Sequence, residues 1–246
     1  MRETSPTADP GEIGRFTARA GAWWDPEGSF RPLHRLNPTR LSFIRQHLGA
    51  HFDRGSASLR PFEGLSLLDI ACGGGLVAEP MARLGFTVTG IDASAEAIGV
   101  ARAHAEATRL GIDYRVGTVE AAADTGQRFD AVLALEIIEH VADPALFLRC
   151  LGALVREGGA CIAATLNRTA QSFASAIIGA EYVLGWLPRG THDWRKFMQP
   201  SELVVGLRRS GFRVTQLAGV SYDLARGEWS LSQNLSVNYM VMAVRR

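Results

Sequence analysis

"LSLLDIACGGGLVAE", residues 65–79, decides the fold. Its first half is an apolar run with no polar break before Asp69, the mark of a strand buried on both faces, as a parallel sheet requires. Gly73, Gly74 and Gly75 follow, letting the backbone turn tightly and approach a ligand without side chains in the way. A short helix, "GLVAEPMARLG", then ends at Gly85.

Outward from this unit the same alternation continues. "FTVTGID" (86–92) reads as a strand, 94–111 as a helix with Ser94 at its N-cap and Gly111 just past its end, and "DYRVG" as a third strand. "FDAVLAL" (129–135) is the fourth strand, 143–159 a helix with Asp143 as N-cap and Pro144 behind it, and "ACIAATLN" (160–167) the fifth strand. A helix over 200–211 precedes two alternating strands, "FRVTQLAGV" and 237–244, which suit an antiparallel pair at the sheet edge. The order predicts a doubly wound, Rossmann-like α/β fold with right-handed crossovers. Its sheet is expected to be mostly parallel and seven-stranded with an antiparallel edge strand.

Composition narrows the function. A chain of 246 residues has room for one large core, and the formal net charge of +1 argues against a nucleic-acid partner. Cys72, Cys150 and Cys161 are too widely spaced for a disulfide framework or a zinc ribbon, which fits a reducing cytoplasm. The first residues lack the apolar stretch of a secretory signal and carry acids that transit peptides avoid. Lys196 is the only lysine, leaving little room for Schiff-base chemistry.

In a doubly wound sheet, ligands bind beyond the carboxyl ends of the strands. Gly73, Gly75 and Ala78 fit a dinucleotide-binding pattern, with Asp92 about 20 residues on as a ribose-binding acid, so a nucleotide-dependent oxidoreductase stands as a rival reading. The whole order of features resembles instead the class I methyltransferases that use S-adenosylmethionine: Asp69 in the first strand, consecutive glycines, a charged cluster after strand four, Gly158 and Gly159 before strand five, and a closing antiparallel pair. In that class the glycine loop, here with Asp69 and Gly73, lies against the amino-acid moiety, and the acid of strand two holds both ribose hydroxyls. Asp92 suits that task, since one carboxylate accepts from two neighbouring hydroxyls.

A narrower resemblance runs through most of the chain. "WWDPEGSFRPLHRLNPTR" (23–40), "GGGL", "EIIEHV" (136–141), "TLNRT" (165–169), "GAEYVLGWLPRGTHDW" (179–194) and "VNYM" (237–240), in this order, are similar to the ubiquinone biosynthesis O-methyltransferase family. The resemblance implies methylation of the hydroxyl of polyprenylated catechols, of the 2-polyprenyl-6-hydroxyphenol type and 3-demethylubiquinol. It also implies cofactor contacts at Arg40, Ala71, Asp92 and Leu135, and a place in a biosynthetic assembly. Ala71 departs from the family, which usually has glycine there. The alternative within the class is a small-molecule methyltransferase with a soluble phenolic acceptor; beyond it stands a cofactor-binding protein without turnover.

Glu136, Glu139 and His140 follow strand four at i, i+3 and i+4, one side of a helical turn. Two oxygens and one nitrogen suit a divalent cation such as magnesium, a role the resemblance also implies. Two other readings stay open: Glu139 or His140 takes the phenol proton as general base, or the acids only stabilise a helix start. Residues 172–196 are apolar but interrupted by Glu181 and glycines, too short to span a bilayer. They are expected to form a lid, inserted at about 168–198, that also meets anionic membrane through Arg189, Arg195 and Lys196, at the inner face of the plasma membrane. Residues 1–60 are expected to form a helical segment over the cofactor site, and 61–246 the methyltransferase domain.

Overall fold

The computed structural model describes residues 7–55, 57–175, 177, 193–224 and 226–246. Two helices come first, α1 (Pro10–Thr17) and α2 (Arg31–His51). The alternating unit follows: β1 (Ser66–Ile70), α3 (Ala78–Arg83), β2 (Thr87–Asp92), α4 (Ala95–Ala107), β3 (Asp113–Val116), α5 (Val119–Asp124), β4 (Phe129–Leu135), α6 (Pro144–Leu154) and β5 (Val155–Leu166). The chain closes with a single turn, α7 (Ala170–Ser172), then α8 (Pro200–Arg209), β6 (Phe212–Asp223), β7 (Glu228–Ser232) and β8 (Asn238–Arg245).

The strands form one sheet in the order β3-β2-β1-β4-β5-β8-β6-β7. From β3 to β5 every pairing is parallel; β8, β6 and β7 join antiparallel. The expected doubly wound α/β class is therefore observed, with eight strands rather than seven. The extra strand, "EWSLS", is short and half polar, and it pairs on one side only, with β6. Consecutive residues of the central strands serve opposite faces. Leu67, Leu133, Ile162 and Met240 pack with Phe43, Ile44, Leu48, Met81 and Ile98 on one face. On the other, Leu68, Val132, Cys161 and Val241 meet Leu151, Leu154, Leu203 and Leu207. Burial on both faces is why these strands read as unbroken apolar runs.

Two helix ends differ from expectation. Ser94 and Asp143 cap as read, accepting from the backbone N–H of Ala97 (3.1 Å) and Leu146 (2.9 Å). But α4 stops at Ala107, because Arg109 takes a left-handed conformation (φ 56°) and the Leu110 N–H returns to the Ala105 carbonyl. The helix α6 stops at Leu154, and β5 begins at once with a bulge: Phe129 pairs with Val155, yet Ala131 pairs with Ala160.

Strand order reverses between β1 and β4, which run parallel, the switch point at which such sheets bind ligands. Beyond the carboxyl ends of these strands lies a cavity of about 680 Å³. Its walls include residues of α1, of the turn at 19–33, of α2, and of the antiparallel strands β6 and β7. Among the described residues no helix is long and apolar enough to cross a membrane. The expected lid lies largely at 178–192, outside the described residues.

Candidate active site

The cavity gathers Arg40, Asp69, Ala71, Asp92, Leu135, Glu136 and His140. Arg40 comes from α2 and is buried; its Nη2 lies 3.4 Å from Glu136 Oε1. Asp69 sits next to last in β1, fully enclosed. Burial pushes its carboxyl up to about 7; Arg40 and a hydrogen bond from the Ala78 N–H pull the other way, and Asp92 adds to the rise. Asp92, at the end of β2, accepts from the Gly73 N–H at 2.9 Å and the Ser94 N–H at 2.8 Å. Burial still holds its pKa above the ordinary range, those two N–H groups opposing it. Ala71, where the resemblance expects glycine, has φ 57°, the left-handed region that favours glycine.

Gly73 is not on the cavity wall; its N–H reaches the site through Asp92. The close approach its missing side chain permits is to Trp23. A Cβ at Gly73 would lie 2.3 Å from that ring, and one at Gly74 2.4 Å. Trp23 stacks on Phe30 at 3.8 Å, and Trp24 stacks on His104 at 3.5 Å while its Nε1 donates to the Gly74 carbonyl. The paired tryptophans thus anchor the N-terminal segment onto the glycine loop.

The cluster after β4 does not converge. Glu136 has φ 52°, and the residues behind it form a 3₁₀ turn, Ile138–His140, rather than an α-helix. Glu136 faces Arg40, and the buried Glu139 accepts from Thr165 Oγ1 at 2.7 Å. His140 Nδ1 lies 3.1 Å from Oε2 of Glu12 on α1. Among the described residues no three His, Cys, Asp or Glu side chains form a group that could hold a metal ion. Each of Glu136, Glu139 and His140, the expected ligand set, is directed to a partner on a different element. Burial works against a charged His140, but the Glu12 hydrogen bond and the charges of Glu139, Glu12 and Glu136 outweigh it, so its pKa is raised.

Glu12 is the site residue that sequence reasoning missed. It is 128 positions from His140, and nothing in its local pattern distinguishes it from other acids in a first helical turn.

This fold, with its cavity at the switch point, is that of a class I methyltransferase. A family described as "Methyltransferase domain" matches residues 33–217. The fold is shared by magnesium protoporphyrin IX methyltransferase from Synechocystis, solved with bound SAH (TM-score 0.66, 18% identity, 95% of this chain and 94% of that one). An S-adenosylmethionine-dependent methyltransferase from Clostridium acetobutylicum is also similar (TM-score 0.60, 11% identity, 83% and 90%). Much nearer in sequence are the ubiquinone biosynthesis O-methyltransferases of Paramagnetospirillum magneticum and Parvibaculum lavamentivorans. Each is 54% identical over 239 residues, covering 97% of this chain and 96% or 94% of the relative. The chain belongs to the ubiquinone biosynthesis O-methyltransferase family.

The donor set fits S-adenosylmethionine. Arg40 Nε and Nη2 and Asp69 Oδ2 are buried without a hydrogen-bond partner, a cation and an anion at one end of the cavity. A zwitterionic amino-acid moiety would complement both, its carboxylate on the planar guanidinium. Asp92 has further lone pairs for vicinal hydroxyls.

Proposed function

We propose that the protein transfers the methyl group of S-adenosylmethionine to a phenolic hydroxyl of lipid-tailed catechols and quinols on the route to ubiquinone. The observation that carries this reading is the continuity of one cavity. It runs from Arg40, Asp69 and Asp92 to an apolar wall that includes Leu33, Leu36, Val220 and Trp229. When bound, the cofactor supplies an electrophilic methyl carbon on a sulfonium. Arg40 and Asp69 would hold its amino-acid end, and Ala71 and Leu135, on the same cavity wall, would contact it. A phenol with a pKa of about 10 needs help to ionise at neutral pH. His140 takes that proton, leaving the phenol oxygen as the nucleophile for the methyl carbon that the cofactor would supply. Glu139 is not on the cavity wall; its role is charge, favouring the imidazolium that forms.

A magnesium ion at this turn would compete with Arg40 for Glu136, while the Thr165 and Glu12 contacts leave Glu139 Oε1 and His140 Nε2 as its other ligands. No step is routed through a cation. Contact of 172–196 with anionic membrane would deliver the lipid-tailed acceptor; the exposed Phe173 and the basic Arg195 support it.

The test mixes protein with methyl-labelled S-adenosylmethionine and a short-prenyl catechol, with magnesium or with EDTA. Label entering the phenol ether equally in both supports the reading. Loss of transfer in EDTA would overturn the metal-free base. Transfer only to soluble phenols would favour the small-molecule alternative, and cosedimentation with anionic liposomes checks the membrane contact.

A further inference from the structure

We propose that Asn238 is a specificity residue of the acceptor site, its side-chain carbonyl accepting a hydrogen bond from the hydroxyl beside the one being methylated. This deepens the reading above and rests on its acceptor class, a catechol, not on which group takes the proton.

The sheet puts Asn238 where an acceptor ring would lie. It opens β8, which runs antiparallel to β5, so it stands at the edge where the parallel strands end. There it pairs with Leu166 of β5 and Val220 of β6, both on the cavity wall. Side chains alternate along a strand. Met240 and Met242 pack on the α2 face of the sheet with Val220, while Tyr239 turns to the other face and donates to the Met198 carbonyl at 2.9 Å. Asn238 therefore shares the face that α2 covers, and it lines the same cavity as Arg40. Two strand spacings, about 10 Å, separate β8 from β4. Leu135, at the end of β4, is a proposed cofactor contact, so an aromatic ring fits between the methyl donor and the amide.

The state of the amide marks it as a ligand group. Asn238 is 5% exposed, and its Oδ1 is buried with no hydrogen-bond partner among the described residues. A buried acceptor left unmade costs stability, and a ligand that donates to it recovers that cost. Other polar groups at this end have partners already. Ser221 Oγ lies 2.8 Å from Ser232 Oγ, and Asn234 Oδ1 accepts from the Ser236 N–H at 3.0 Å. An amide carbonyl needs a donor, and a second phenolic hydroxyl supplies one where a bare ring carbon has no proton to give. Backbone ladders on both sides fix Asn238 in the sheet, so the amide is held ready for the ring.

The experiment measures calorimetric Kd values for a short-prenyl catechol and for the matching phenol without the second hydroxyl. Each binds to the complex with S-adenosylhomocysteine, in the wild type, N238L and N238A. Magnesium is present throughout, so any preference of a cation for two oxygens is common to all three proteins and cancels between them. The wild type should prefer the catechol by about tenfold more than either variant does, the worth of one hydrogen bond to a buried acceptor. In the labelled methyl-transfer assay kcat/KM for the catechol should fall by the same factor, with the cofactor Kd within about twofold. N238L should melt no lower than the wild type, because the carbonyl it removes has no partner in the empty protein. The same catechol preference in all three proteins would overturn the inference. So would equal losses for both acceptors that track a lowered melt in both variants, which would make Asn238 structural. A wild type that binds the two acceptors equally overturns it with no variant needed. Failure of the wild type to label either acceptor would instead sink the catechol reading on which the inference rests.

Discussion

Replacing Asp69 with asparagine should remove a pH dependence of stability that the fold builds in. In the folded protein burial holds this carboxyl up to about 7, against an ordinary value of 3.8. Between those values the folded chain keeps a proton that the unfolded chain has released. The stability associated with that proton is fully present below about pH 3.8 and is lost as pH rises through about 7. Three pKa units at about 1.36 kcal/mol each put the loss at up to about 4 kcal/mol. D69N keeps the shape without the charge, so urea unfolding from pH 4 to 8 should show the wild type falling relative to the variant and D69N the more stable at pH 8. Calorimetric titration with S-adenosylmethionine should run the other way. The cofactor ammonium pairs with ionised Asp69, so wild-type affinity rises toward a plateau above pH 7, while D69N binds weakly and without that rise. Parallel unfolding curves for the two proteins across this range would refute the argument.

Two further substitutions probe single contacts. A71G removes a left-handed alanine (φ 57°), whose strain is roughly 1 kcal/mol, so the thermal midpoint should rise by about 2–4 °C; an unchanged or lower midpoint speaks against strain there. T165V takes away the hydroxyl that donates to the buried Glu139 carboxylate at 2.7 Å, which should cost about 1.5–3 kcal/mol in urea unfolding, and a cost under half of that would mean the carboxylate finds another donor.

How much the sequence disclosed depended on how local each cause was. The parallel strands were legible because burial on both faces leaves an unbroken apolar run, as in Leu67–Leu68 and Val132–Leu133. Asp69 and Asp92 were legible as site acids because each stands at a strand end beside the glycine loop. The six-residue α5 and the edge strand β7 went unread, being too short for a period to show. The ends of α4 and α6 were misplaced by glycines that do not stop them. Arg109 ends α4 ahead of Gly111, and Gly158 belongs to a bulge of β5. The glycines of the loop were singled out, but their contact with Trp23, 50 residues away from Gly73, was not legible from any local pattern.

The cluster at 136–140 shows most plainly where spacing ceases to inform. Positions i, i+3 and i+4 share a face only if the backbone beneath them is an α-helix. Here β4 ends at Leu135, Glu136 turns through a left-handed conformation, and three residues of 3₁₀ geometry follow. That path fans the side chains apart: Glu136 toward α2, Glu139 toward β5, His140 toward α1. Each acid then has an electrostatic task of its own. Glu136 balances a buried guanidinium at the cofactor end, where an arriving carboxylate would compete for the same cation. Glu139 and Glu12 both favour positive charge on the imidazole beyond the strand. The three side chains that spacing put on one face thus meet three different elements of the fold, and one of those contacts, Glu12 to His140, joins segments that no local pattern connects.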